Sequence, residues 1–119
     1  MALIEAQVIS HLATALKDTN VFAERPDDPP AKYWIVELTG ADEINHIQRA
    51  TIAVQSISAS SMVEAAEMCA DVRKNLPLIV QTTDNVSSCR LNSAYNFTNP
   101  ETREYRYQAV FDLYYTEGE

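Results

Sequence analysis

Residues 95–115, YNFTNPETREYRYQAVFDLYY, contain five of the six tyrosines and two of the three phenylalanines of this 119-residue chain. The NPETR segment has turn-forming residues, and the residues on both sides of it alternate with a period of two. The pattern predicts a β-hairpin with arms at 86–98 and 104–116, one side covering helices and the other facing water or a partner. One face of the second arm carries Tyr105, Tyr107, Ala109, Phe111, Leu113 and Tyr115, and the matching face of the first carries Cys89, Leu91, Ser93, Tyr95 and Phe97.

A second pair of strands is predicted upstream of this hairpin. Residues 32–38 form one strand that ends near Gly40, and an acidic turn follows at 41–45. The run 46–60 alternates Ala50, Ile52, Val54 and Ser56 with Arg49, Thr51, Ala53 and Gln55, as expected for a strand with one buried face. These two strands are predicted to pair antiparallel. A short strand at 21–24 precedes them, and the proline-rich segment 25–32 between is predicted to be a loop.

Two helices are predicted from apolar side chains at helical spacing. The first covers residues 2–17 and stops at the polar segment 18–20. The second begins at Ser60 or Ser61, because Glu64 lies three residues after Ser61 as in a capping box, and Pro77 limits its other end. Residues 78–83 are compatible with a last helical turn or with a short extended piece.

The order of elements is therefore α-β-β-β-α-β-β. It predicts a single α+β domain over residues 1–119, with two helices packed on one face of an antiparallel sheet. A chain of this length can bury one two-layer core.

The charge balance disfavours partners that are recognised through phosphates. The chain has 9 Lys and Arg residues against 17 Asp and Glu residues, a formal net charge of -8 and a pI near 4.6. Sequence-specific binding to nucleic acid is therefore not expected. The first ten residues lack the features of a secretory signal, and no apolar run is long enough to span a bilayer, so no membrane partner is expected.

The two cysteines, Cys69 and Cys89, lie in segments with regular periodicity. We interpret both as buried thiols of a reducing compartment and favour this over a disulfide. The sequons at Asn85 and Asn96 have no chemical meaning without secretion.

The sequence contains no pattern typical of an enzyme. Gly40 and Gly118 are the only glycines, which leaves no phosphate-binding or dinucleotide-binding loop. His11, His46 and the two cysteines lack the short spacing of a zinc site, and the histidines are interpreted as residues at the edge of the core. The acidic pairs 27–28 and 42–43 could bind a divalent cation, but solvated loop charge is favoured. We therefore predict no catalytic residues, no metal and no cofactor.

Several segments together resemble the tail-terminator and tail-completion proteins of long-tailed phages and prophages, in particular those from prophages of Gram-positive bacteria. The resemblance covers about nine-tenths of the chain and rests on weak patterns that occur together. They are the hairpin RLNSAYNFTNPETREYRYQAVFDLYY and the upstream segments VFAERPDDPPAKYWIVELTG, IQRATIAVQSISAS and EAAEMCADV.

The resemblance implies a structural protein of the virion, assembled in the host cytoplasm. Its subunits are expected to form a ring, typically a hexamer, that caps the head-proximal end of the tail tube and joins it to the head connector. The expected partners are other copies of the chain, the tail-tube protein and a head-closure protein.

Alternation and charge, rather than matched family positions, select the residues expected at the subunit interface. Aromatic and aliphatic anchors, in the core or in the interface, are Tyr105, Tyr107, Phe111 and Leu113. Arg49, Arg90 and Arg106 are expected to contact Asp42 and Glu43 of a neighbouring subunit. Two alternatives stay open: a head-closure protein of the same neck, and a small homodimeric ligand-binding or regulatory domain.

Overall fold

The computed structural model describes residues 3–98, 101 and 104–116, and these form one mixed sheet with helices on one face. The predicted α+β class and the order of the main elements are confirmed. A 3₁₀ turn (Leu76–Leu78) and a short third helix follow the second long helix. The elements in chain order are α1 (Ile4–Leu16), β1 (Val21–Phe22), β2 (Lys32–Ile44), β3 (Ile47–Ser58), α2 (Met62–Asn75), α3 (Ile79–Thr82), β4 (Val86–Asn96) and β5 (Tyr105–Tyr115).

The strands are ordered β1-β2-β3-β5-β4 across the sheet. The predicted antiparallel pairs β2–β3 and β4–β5 are confirmed, and β3 also pairs antiparallel with β5. The short strand β1 is the exception, because it lies parallel to β2 beside Trp34 and Ile35. The sheet is therefore mixed rather than antiparallel throughout. Period-two alternation identifies a strand but does not specify its direction, so this pairing was not predictable from it.

One apolar cluster joins the helices to one face of the sheet, which we call the helix face. α1 contributes Val8 and Leu12, and α2 contributes Cys69 and Val72, all buried. The sheet side of the cluster alternates as predicted and comprises Val21, Trp34, Val36, Ala50, Ile52, Val54, Val86, Cys89, Ala109, Phe111, Leu113 and Tyr115. Burial of this apolar surface is the main stabilising contribution to the fold.

Helix α2 begins where the capping pattern predicts. The Ser61 side chain accepts a hydrogen bond from the backbone N–H of Glu64 at 3.2 Å. The Glu64 carboxylate accepts from the Ser58 hydroxyl at 2.6 Å, so it ties the helix start to the end of β3. Beyond Asn75 the chain continues as the 3₁₀ turn and α3, so residues 79–82 adopt the helical alternative.

The predicted acidic turn at 41–45 is wrong, because β2 continues to Ile44. The chain reverses instead at Asn45 and His46, which have φ angles of 51° and 67°. Positive φ at both central residues is typical of the two-residue hairpin turn whose twist matches the flanking strands. His46 is consequently an exposed turn residue and does not lie at the edge of the core.

A bulge changes which side chains of β4 share a face. Leu91 pairs with Phe111 but Ser93 pairs with Val110, so Asn92 is an extra residue on β4. A one-residue insertion reverses the alternation beyond it. The predicted single face from Cys89 to Phe97 is therefore split: residues 89 and 91 lie on the helix face, and residues 93 and 95 on the opposite face. The turn predicted at 99–103 lies largely outside the described residues.

Candidate assembly surface

The sheet face opposite the helices, which we call the outer face, is not covered by any described helix. Its small apolar cluster consists of Tyr33, Ile35 and Ile57 with Phe22 packed against it, and no helical residue belongs to this cluster. The Phe22 and Tyr33 rings meet edge to face with centroids 6.3 Å apart. Away from this cluster the outer face is buried at Gln55 and Gln108 and exposed at Glu37 and Arg49, so its exposed part is open to a partner.

A buried carboxylate organises one end of the outer face. Glu104, immediately before β5, accepts a hydrogen bond from the Tyr33 hydroxyl at 2.7 Å. Arg25 and Arg106 lie 3.4 and 3.5 Å from its other oxygen. Burial and the bond to Glu104 together raise the pKa of Tyr33. No local sequence pattern predicts this cluster, because Tyr33 and Arg25 are 71 and 79 residues away from Glu104.

Arg106 is held by contacts within the chain. Besides its contact with Glu104, its guanidinium donates to Gln55 on the neighbouring strand at 3.2 Å. Its side chain is only 17% exposed, and its Nε is buried without a hydrogen-bond partner among the described atoms. Arg106 thus orders the outer face, and little of it is accessible to a neighbouring subunit.

Arg49, Asp42 and Glu43 lie near the tip of the β2–β3 hairpin. Asp42 and Arg49 are cross-strand neighbours and form an ion pair, and Glu43 accepts a hydrogen bond from Gln48. Hydrogen bonds to Asp42 and to Tyr114 raise the pKa of Arg49. Both members of the ion pair stay about half exposed, so they remain accessible to a partner while they interact within the chain.

The remaining candidate interface residues divide between core and surface. Phe111 and Leu113 are fully buried on the helix face and are core anchors. Tyr107 packs at the margin of that cluster, and Tyr105 is half-buried. Arg90 is exposed on β4 and forms no ion pair with any described residue.

Exposed apolar side chains border the outer face at both ends. Ile44 and Ile47 lie at the hairpin tip, and Tyr95 and Phe97 lie at the end of β4, all at least 41% exposed. The Tyr95 and Phe97 rings are in edge contact with centroids 6.1 Å apart, and the Tyr95 hydroxyl accepts from Gln108 at 2.6 Å. Exposed apolar side chains grouped in this way are typical of interaction surfaces. The β4 bulge turns Tyr95 outward, so strict alternation could not have placed it there.

A groove of about 610 Å³ lies on the helix side, between α1 and α3. His11 borders it, with Nε2 at 2.8 Å from the Asn75 carbonyl oxygen and Nδ1 at 3.1 Å from the Thr82 hydroxyl. Because a carbonyl can only accept, Nε2 carries the proton, and a neutral ring then accepts from Thr82. His11 thus joins α1 to the segment after α2, as an edge-of-core residue.

Both cysteines are free and buried, as predicted. Burial raises the pKa of Cys69, and it raises the pKa of Cys89 to about 12. Neither is a reactive thiolate at neutral pH.

Within the described ranges, no three His, Cys, Asp or Glu side chains are grouped so that they could share a metal ion. None of the helices in those ranges is long and apolar enough to cross a membrane. No protein-family model matches the chain, and a search of curated proteins also finds no match.

Proposed function

We propose that this chain is a structural subunit of a phage or prophage tail: a tail terminator that forms a ring on the tail tube and joins it to the head connector. The observation that carries the proposal is the outer face, an extended sheet surface without helices and with exposed apolar side chains at both ends. In a ring, such a surface forms the wall or contacts the neighbouring subunit.

The charge of the chain suits this role. A net charge of -8 per subunit gives a ring a strongly negative potential. DNA passing through an acidic opening is repelled rather than retained. The partners in this proposal are further copies of the chain, the tail-tube protein and the head-closure protein, and it involves neither a cofactor nor catalysis.

Location in the virion tests this function directly. Immunogold labelling of the chain, applied to particles released by the cells that encode it, is expected to mark the head-proximal end of tails, including tails that have no head. Label only on DNA-filled heads would favour the head-closure alternative. Absence of label from both structures would overturn the proposal.

The hairpin tip provides a test of the predicted charge contacts. Reversing Asp42 and Glu43 to lysine is expected to weaken ring formation, measured by sedimentation. Reversing Glu67 and Asp71 to lysine is the matched control, because these exposed residues of α2 lie away from the sheet and change the net charge equally. Equal assembly of both double variants would contradict the assignment of residues 42 and 43 to the interface.

The groove between α1 and α3 favours a second candidate, a homodimeric ligand-binding domain. The two functions predict different masses in solution. A hexamer has a mass of about 80 kDa and a dimer about 27 kDa, six and two times 13.3 kDa. A stable dimer with a small molecule in this groove would favour the second candidate.

A further inference from the structure

The sheet has an unpaired strand edge on each side. β4 is the last strand on one side, and its whole length has no neighbour beyond it within the described chain. On the other side β1 pairs only with Trp34 and Ile35, so within the described residues no strand adjoins the outer edge of β2 at residues 36–44. Unpaired edges offer rows of backbone N–H and C=O groups to any strand that can add to them.

The two free edges lie at the same level of the sheet and run in opposite directions. Register links Ala94 to Ala109 on β5, Ala109 to Val54 on β3, and Val54 to Val36 on β2. Three antiparallel pairings, β2–β3, β3–β5 and β5–β4, connect β2 with β4, so these two strands run in opposite directions. If one copy is placed beside another in the same orientation, β4 therefore meets the free stretch of β2 as an antiparallel strand.

Backbone hydrogen bonds show which N–H groups point away from the sheet. The Trp34 N–H donates outward, to Asn20 at 2.9 Å, so alternation directs the N–H groups of Val36 and Leu38 outward as well. On β4 the Phe97 N–H donates inward, to Arg106 at 2.7 Å. The N–H of Tyr95 is then also inward, and those of Ala94 and Asn96 point outward. The outward N–H groups of Ala94 and Val36 thus lie at the same position along the strand direction, on opposite edges of the sheet.

The side chains on the two edges are complementary. Glu37, Asp42 and Glu43 make the free stretch of β2 acidic, whereas Arg90 is the only charged residue of β4. Both edges also expose apolar side chains, Leu38 and Ile44 on β2 and Leu91 and Tyr95 on β4. β4 contains no lysine or proline, the residues that commonly protect an edge from pairing.

We propose that β4 of one subunit adds as an antiparallel strand to residues 36–44 of β2 in the next subunit. The junction joins two different edges, and repetition of such a contact forms a ring with continuous sheets when the rotation between subunits closes. Pairing of β4 with a second β4 is a poorer match, because it leaves the stretch of β2 unpaired and joins two edges without acidic side chains. The junction rests on the proposed function as a ring subunit and specifies how the subunits meet.

Proline substitutions test the junction at each edge. Ala94→Pro removes an outward N–H from β4, and Leu38→Pro removes one from β2, while the inward hydrogen bonds of both strands remain possible. The wild-type chain is expected to sediment as a ring, and each proline variant is expected to lose it. Ala94→Ser and Leu38→Ala are the matched controls, since they alter the same side chains and keep the N–H. Circular dichroism and thermal unfolding check that the proline variants are folded.

Mixing the two proline variants gives the decisive result. Each retains one intact edge, so the mixture is expected to form a heterodimer through the intact β4 of one chain and the intact β2 of the other. Size tags of different mass identify it by native mass spectrometry. Pairing of β4 with β4 predicts instead a homodimer of the Leu38→Pro chain, and this result would overturn the junction.

A disulfide trap gives a second measurement that does not need proline. Ser93 and Glu37 lie at one level, linked through Val110 and Ala53. A Ser93→Cys chain mixed with a Glu37→Cys chain is expected to form a mixed disulfide under mild oxidation, much faster than either chain forms a disulfide with itself.

The outcomes separate this junction from the proposed function. Intact rings in both proline variants, without the mixed disulfide, would overturn the junction, and label on tail ends would still support a terminator. A wild-type chain that stays monomeric at all concentrations and gives no mixed disulfide also overturns the junction. Loss of the tail label overturns the function, even if the edges pair.

Discussion

The two faces of β5 are stabilised in different ways, although they belong to the same eleven residues. On the helix face, Phe111 and Leu113 are fully buried among apolar side chains. On the outer face, Arg106 and Gln108 are held by hydrogen bonds to neighbouring strands. The first face is completed by the helices of its own chain. The second is ordered by hydrogen bonds without a helix over it, which keeps its exposed side chains available to a partner.

The largest difference between the faces is expected on truncation of the core. Phe111→Ala should lower the free energy of unfolding by about 3–5 kcal/mol, because it removes a fully buried ring and leaves a cavity. Val110→Ala, the adjacent residue on the outer face, should cost less than about 1.5 kcal/mol, since its side chain is only half-buried. Urea unfolding measures both. Equal losses would show that the outer face is packed as tightly as the helix face.

The carboxylate cluster should give the next largest effect. Glu104→Gln removes the charge that Arg25 and Arg106 face and weakens the bond to Tyr33. The expected loss is about 1–3 kcal/mol, the typical result of leaving buried polar groups poorly paired. Glu24→Gln is the matched control, because Glu24 is exposed. The pKa of Tyr33 should also fall in Glu104→Gln, since one cause of its elevation is lost; absorbance titration against Tyr33→Phe measures it.

The buried thiol on the helix face predicts a dependence of stability on pH. Cys89 keeps its proton to about pH 12 in the folded chain, whereas an unperturbed thiol loses it near 9. Ionisation therefore favours the unfolded chain above pH 9, and stability falls as the pH rises from 9 to 12, by at most about 1.4 kcal/mol per pH unit. Cys89→Ala lacks this contribution. The free energy of unfolding of the wild type minus that of the variant should therefore be constant below pH 8 and should fall between pH 9 and 12. Cys69 and Tyr33, whose pKa values are also raised, add the same dependence to both chains. Equal slopes in the wild type and the variant would therefore show that Cys89 contributes nothing.

The sequence predicted what depends on local periodicity and missed what depends on register. The buried side of β3, the core positions of β5 and the cap at Ser61 all follow from local patterns. The bulge at Asn92 reverses the alternation of β4, and no residue type marks it. Two of the three partners of Glu104, Arg25 and Tyr33, are far away in the sequence, so only the folded sheet brings them to it. The charge pattern predicted a contact of Arg49 with Asp42 between subunits, whereas in the structure these two residues form an ion pair within one chain.

The smallest effect on stability is expected at the hairpin tip. Asp42 and Arg49 are both about half exposed, and exposed ion pairs contribute about 0–1 kcal/mol because water and salt screen them. Asp42→Asn, Arg49→Gln and the double variant form a cycle whose coupling free energy should lie in this range and shrink at high salt. A coupling above about 2 kcal/mol in the isolated chain would show that the tip is stabilised like the Glu104 cluster. If the coupling is weak, Asp42 and Arg49 can leave each other for charged residues of another subunit with little loss of free energy. A contact between subunits at this tip requires such an exchange.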